Sequence, residues 1–274
     1  MNYYLLGYPV GHSVSPAMHN AAFKELGMPN KYSLLEAPRA QLPDIVKKRI
    51  KVDSFGGANV TIPHKMEIIQ YLDELADSAE KAWAVNTIQY RDGILIGHNT
   101  DALGGVRALT EVYGSLSDAK VVLLGAGGAA KALAAELAPK VDKLTILNRS
   151  VDKAKELAER LGESVNYDSI TNHSVIQSAD ILINATPVGM HPSINESPVN
   201  PSALHSDLLV FDIVYNPQKT RLLADAERTG ARTLGGLWML VYQGIEAFKI
   251  WTGVEPSADT MYNAAQDALE AMKH

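Results

Sequence analysis

The sequence predicts an α/β protein whose second half is a doubly wound parallel sheet. From Lys120 onward, continuous apolar runs recur (AKVVLLG, KLTILN, ADILINAT, LLVFDIV), as expected of parallel strands buried on both faces. Helical stretches, AGGAAKALAAELA and VDKAKELAERLG, separate the first of them, which is βαβ repetition. The first hundred residues also alternate strand and helix, but in a different pattern, so a boundary falls near residue 101.

In chain order, YYLLG and KYSLLEA read as strands, and PAMHNAAFKELG between them as an amphipathic helix with Pro16 in its first turn and Gly27 closing it. SFGGANV is a buried-looking strand that ends in NVTIPHK, where three polar side chains surround Pro63. KMEIIQYLDELA reads as a second amphipathic helix, with Lys65 at its mouth. VNTIQY and ILIGHN form a hairpin around Asp92-Gly93, and ALGGVRALTEVYG is a helix. After the parallel-strand series, GGLWMLVYQGIEAFKIWTG and DTMYNAAQDALEAMKH are two more helices.

The bulk properties bound the function. The chain has 274 residues, 46% of them hydrophobic and 20% charged, which is the composition of a globular protein rather than a disordered one. A formal net charge of -6 argues against nucleic acid as a partner. The absence of cysteine removes disulfides, thiolate catalysis and Cys-ligated zinc. Eight scattered histidines show no metal-ligand spacing, so no metal is expected. No signal peptide or membrane span is legible, so the expected location is the cytoplasm.

VVLLGAGGAAKALA sets Gly125, Ala126, Gly127, Gly128 and Ala129 at a strand-to-helix turn, with Ala130 in place of the third fingerprint glycine. Glycines there let the backbone approach a pyrophosphate lying on the helix N-terminus. This is the dinucleotide fingerprint of a Rossmann-type domain. The next strand ends in ILNRS rather than in an acidic residue. Asn148 is neutral, and Arg149 puts a cation where a ribose 2′-phosphate would sit, so NADP is the expected cofactor. Ser150 serves either that phosphate or the N-cap of the following helix.

Ser13 and Ser15 are two apart, so an extended segment turns both hydroxyls to one side, just before a helix start that favours an anion. Ser15 alone reads equally well as an N-cap. Lys65 alone is an ordinary solvated lysine, though misplaced beside a helix N-terminus. Asn86 and Thr87 lie in an apolar context, and Asp101 reads as a helix cap.

Together, GYPVGHSVSPAMHN, NVTIPHK, AVNT, GHNTD, GAGGAA, NRS, NATPVGM, DIVYNP and GGLWMLVYQG stand in the order seen in the shikimate dehydrogenase family, which this chain resembles over essentially its whole length. The resemblance implies NADP-dependent, reversible reduction of 3-dehydroshikimate to shikimate in aromatic amino-acid biosynthesis. It implies Lys65 as acid/base with Asp101 as its partner, Ser13 and Ser15 on the substrate carboxylate, and Thr61, Asn86, Asp101, Tyr215 and Gln243 on the carboxylate or ring hydroxyls. Asp77, the Gly125–Ala129 turn, Asn148, Arg149, Ser150, Lys153, Ile213 and Gly236 are implied on the NADP side, with Thr186 and Met239 near it. The implied domains are a discontinuous substrate domain, 1–101 with 237–274, and an NADP-binding domain, 102–236, in a monomer or homodimer. Two other readings stay open: a quinate dehydrogenase using NAD, and an NADP-binding regulatory protein without catalysis. Gly104-Gly105 and Gly235-Gly236 read either as hinges or as packing glycines.

Overall fold

The computed structural model describes residues 1–272 and divides the chain into two compact units. One holds Met1–Thr100 and the chain from Val241 onward; the other is Asp101–Leu240.

The first unit begins β1 (Asn2–Gly7), α1 (Ser15–Glu25), β2 (Lys31–Glu36), α2 (Leu42–Ile45) and β3 (Phe55–Val60). It continues through β4 (Glu74–Leu75), α3 (Asp77–Ala82), β5 (Thr87–Arg91) and β6 (Ile94–His98). The strands form one mixed sheet in the order β2-β1-β3-β5-β6-β4, with β5 and β6 antiparallel. The β5–β6 turn is the expected one: Asp92 and Gly93 both take positive φ, 54° and 84°. Leu6, Phe55, Ala58, Ile88 and Leu95 are among the side chains that make its core.

Two local expectations fail here. KMEIIQYLDELA is not a helix: it is a 3-10 turn over Glu67–Tyr71 followed by β4. Pairing at the sheet edge overrides the helical period. Asp73 N–H donates to the Leu95 carbonyl at 2.9 Å, Leu95 N–H donates to Asp73 Oδ2 at 2.8 Å, and β4 runs parallel to β6. Ser15 is not the N-cap of α1 either. Val14 holds that position without a side-chain cap, and Ser15 is the first helical residue, followed by Pro16.

The second unit runs α4 (Asp101–Tyr113), β7 (Lys120–Leu124), α5 (Gly128–Leu137), β8 (Lys143–Asn148), α6 (Val151–Leu161), β9 (Val165–Ser169) and α7 (His173–Ile176). It is completed by β10 (Ile181–Asn184), β11 (Leu209–Asp212), α8 (Arg221–Arg228) and β12 (Arg232–Gly235). All its strands are parallel, in the order β12-β11-β10-β7-β8-β9. This is the doubly wound sheet of a Rossmann domain, reversing direction between β7 and β10. Gly105 of α4 is a packing glycine: a Cβ there would come within 2.5 Å of Leu133.

The chain closes with α9 (Gly236–Thr252), inside which the division at Leu240 falls, and α10 (Ala258–Ala271). Residues 273–274 of the last expected helix lie outside the described residues. The end of α9 is tied to the first sheet, with Trp251 Nε1 donating to the Ile88 carbonyl at 2.9 Å and Gln89 Nε2 to the Ile250 carbonyl at 2.8 Å. No described helix is long and apolar enough to cross a membrane.

Candidate active site

In the first unit the sheet ends in a chain of buried polar side chains. Asn59 is 5% exposed at the end of the apolar strand β3. Tyr32 Oη donates to its Oδ1 at 2.8 Å, and its Nδ2 donates to Thr87 Oγ1 at 3.1 Å. Thr87 passes the chain to Asn86 Oδ1 at 2.9 Å, and Asn86 Nδ2 donates to Thr100 Oγ1 at 3.0 Å. Gln243 of α9 joins through Oε1, which lies 3.4 Å from both Asn86 Nδ2 and Thr100 Oγ1. Separately, at the start of α1, Ser13 Oγ donates to Ser15 Oγ at 3.1 Å. Burial pushes the Tyr32 phenol well above its ordinary pKa, so Tyr32 keeps its proton as the donor to Asn59. His19, fully buried and stacked on Tyr32, is pushed down to about 3 by burial and stays neutral.

Two of the expected substrate residues, Asn86 and Gln243, are therefore joined in one hydrogen-bond chain, and two others, Ser13 and Ser15, are bonded to each other. Buried polar groups joined in this way are fixed before any ligand arrives. Thr61 lies at the same sheet end, its N–H donating to the Leu6 carbonyl at 2.9 Å. Lys65 is half-buried, and its carbonyl accepts from Val85 N–H at 2.7 Å, which ties the lysine to the AVNT segment. Its neighbour His64 is wholly buried, with Nε2 against the Ala37 carbonyl. Asp77 is exposed at the start of α3 in this same unit.

The second unit carries Asp101, the first residue of α4, and the remaining expected positions. Gly125 takes φ +110°, and a Cβ there would stand 3.1 Å from the Ala185 carbonyl oxygen, so the turn requires glycine. Space over Gly127 and Gly128 is open, and Gly127 caps α5 without a side chain. The first N–H groups of α5 thus face an accessible surface, which suits a pyrophosphate. The side chain of Ser150 does not cap α6 either, although it stands at the N-cap. Asn148 Nδ2 holds the Ser150 carbonyl at 2.9 Å, and the exposed side chains of Arg149, Ser150 and Lys153 suit a phosphate beside that loop. Lys153 also lines a surface pocket with Ala126, Lys131 and Arg160, two further cations that the motif reading did not single out.

On the other side of the direction reversal, Thr186 donates through Oγ1 and N–H to Asn184 Oδ1 at 2.7 and 3.0 Å. Ile213 N–H donates to the Asn184 carbonyl at 3.1 Å. Gly236 packs so closely on Ile213 that a Cβ would lie 2.2 Å from its carbonyl oxygen. Met239 packs near Gly105, and burial raises the pKa of the Tyr215 phenol, which stays protonated. Sequence reasoning missed Tyr32, Asn59, Asn184, Asp212 and Thr220. The available signal was a polar residue closing an otherwise apolar strand, as in FGGANV, ILIN and LVFD.

Three family models match the chain: the shikimate dehydrogenase substrate binding domain over residues 5–88, shikimate / quinate 5-dehydrogenase over 107–221, and the shikimate 5′-dehydrogenase C-terminal domain over 236–266. A shikimate dehydrogenase (NADP(+)) of Methanocaldococcus jannaschii is 47% identical over 275 residues, covering 97% of this chain and 96% of that protein. A crystal structure of a shikimate dehydrogenase in complex with NADP+ superposes with a TM-score of 0.91 at 44% identity, covering 98% of this chain and 95% of that one. A Thermus thermophilus shikimate 5-dehydrogenase, solved with NADP(H) and shikimate, superposes with a TM-score of 0.88 at 34% identity, covering 98% and 100%.

Proposed function

The chain belongs to the shikimate dehydrogenase family, and from that premise we propose that it reduces 3-dehydroshikimate reversibly to shikimate with NADP, in the route to the aromatic amino acids. The observation that carries this reading furthest is the buried chain from Tyr32 to Gln243 in the first unit, together with the bonded pair Ser13 and Ser15. It supports a ligand with a carboxylate at one end and hydroxyls at the other.

In this reading Ser13 and Ser15 hold the carboxylate at the start of α1, where free N–H groups add to the attraction. Thr61, Asn86, Asp101, Tyr215 and Gln243 hold the carboxylate or the ring hydroxyls. The chain binds NADP through the Gly125–Ala129 turn. Asn148, Arg149, Ser150 and Lys153 take the 2′-phosphate, which discriminates against NAD. Thr186, Ile213, Gly236, Met239 and Asp77 serve the rest of the cofactor.

Bound NADPH supplies the hydride that reaches the ketone carbon. The carbonyl oxygen must then gain a proton, and the Lys65 ammonium gives it while stabilising the developing negative charge. In the oxidative direction neutral Lys65 takes the hydroxyl proton back. Asp101 orients Lys65 and a substrate hydroxyl.

The assay is absorbance at the nicotinamide band, with shikimate or quinate crossed against NADP or NAD. Turnover with shikimate and NADP far above the other combinations supports the reading. Preference for quinate with NAD, or no turnover at all, overturns it.

A further inference from the structure

The NATPVGM and DIVYNP loops begin at two fully buried polar residues, Asn184 and Asp212, each closing an apolar strand of the second sheet. The Asp212 carboxylate accepts from three donors on three segments. Asn184 Nδ2, at the end of β10, reaches Oδ1 at 3.0 Å, and Val214 N–H, on the loop after β11, reaches the same oxygen at 3.1 Å. Thr220 Oγ1 reaches Oδ2 at 2.7 Å while accepting from Leu223 N–H at 3.3 Å, which makes it the N-cap of α8. The Asn184 amide is locked in turn, because its Oδ1 accepts from Thr186 N–H and Oγ1.

A buried carboxylate is expensive, and burial outweighs these donors enough to raise Asp212 to about 6. A neutral residue would serve the sheet better, so the carboxylate's use lies in the loops it binds together. Their place in the topology says which part of a ligand they meet. The glycine turn follows β7 and the cationic loop follows β8, so a dinucleotide whose 2′-phosphate lies over β8 extends across the direction reversal towards β10 and β11.

We propose that Asp212 is a positioning residue for the nicotinamide half of the cofactor: with Asn184 and Thr220, it sets the two loops that carry Thr186, Ile213 and Tyr215. This rests on the NADP reading above. Asp212 touches neither cofactor nor substrate and acts through those loops. Asp212→Asn keeps the shape but replaces one acceptor oxygen with a donor, so either the Thr220 hydroxyl or the Asn184–Val214 pair loses its partner.

The test is calorimetric titration of wild type, Asp212→Asn and Thr220→Val with two ligands, NADP+ and adenosine 2′,5′-bisphosphate, which lacks the nicotinamide half. In both variants the NADP+ Kd should rise about tenfold, a loss near 1.4 kcal/mol, while the Kd for the bisphosphate stays within about twofold. Thr220→Ser should restore wild-type values. Should Asp212→Asn fail to fold, Thr220→Val decides alone. Equal weakening of both ligands would make the network merely structural, and unchanged NADP+ binding would remove it from the site; either overturns the proposal. A wild type that binds neither ligand takes down the NADP reading, and this proposal with it.

Discussion

Asn86 and Thr100 bind each other in both directions, through the 3.0 Å bond from Asn86 Nδ2 to Thr100 Oγ1 and a 2.8 Å bond from Thr100 N–H back to Asn86 Oδ1. The two are 2% and 0% exposed, so no water replaces a lost partner. This reciprocal pair fixes the amide that would meet a substrate hydroxyl.

Asn86→Ala leaves Thr100 and Gln243 with unsatisfied buried groups and should cost about 1–3 kcal/mol of stability. Urea denaturation measures that cost, and the KM for shikimate should rise together with it. A variant as stable as wild type would mean that water or repacking satisfies these groups.

Gly236 has no room for a methyl group above the Ile213 carbonyl. Gly236→Ala should therefore shift the start of α9 or the Ile213 loop, destabilise by roughly 1–3 kcal/mol and raise the KM for NADP. Denaturation and initial-rate kinetics together check this. Gly127→Ala, where the added Cβ meets open space, is the contrasting variant: it should weaken cofactor binding at little cost in stability.

Stability should vary with pH through Asp212. Its folded pKa of about 6 lies above the ordinary carboxylate value of 3.8, so between these values the folded state holds a proton that the unfolded state has lost. The contribution is fully present below about pH 4 and is lost as pH rises through about 6, a change on the order of 3 kcal/mol. His19 acts oppositely: its folded pKa of about 3 lies below 6.5, so acid removes stability as the unfolded imidazole charges. Comparing wild type with Asp212→Asn isolates the carboxylate. Their stability difference, from urea denaturation at a series of pH values, should shift in favour of the variant as pH rises from 4 to 7. A flat difference would contradict the raised pKa.

Arg149→Ala should raise the KM for NADP about tenfold or more while leaving that for NAD within about twofold, because a charge-assisted bond to the 2′-phosphate is lost. Steady-state kinetics with each cofactor reads this directly, and equal effects on both would place the phosphate elsewhere.

The parallel strands were legible because burial on both faces leaves continuous apolar runs, and the β5–β6 turn because Asp-Gly tolerates positive φ. The segment after Lys65 reads as a helix because its helical period is real: Ile68, Ile69, Leu72 and Leu75 all pack in the core, yet Ile68 and Ile69 lie in a 3-10 turn and Leu75 in an edge strand paired with β6. Ser13, Ser15 and Asn86 could be singled out by spacing or context, whereas Tyr32 could not, and Asn59 showed only as a polar residue near the end of an apolar strand. Their role arises from hydrogen bonds across sequence separations of 27 and 28 residues, which no local pattern encodes. For Asp212 only the partner Asn184 is distant, 28 residues away; Val214 and Thr220 follow it by two and eight residues.

The central claim is that Lys65 delivers the proton. The most direct measurement sets the kcat of Lys65→Met beside its Kd for shikimate by calorimetry. The account predicts a kcat lower by roughly 10²–10⁴ with the Kd changed only a few-fold. A Lys65→Met enzyme that turns over at the wild-type rate would contradict it.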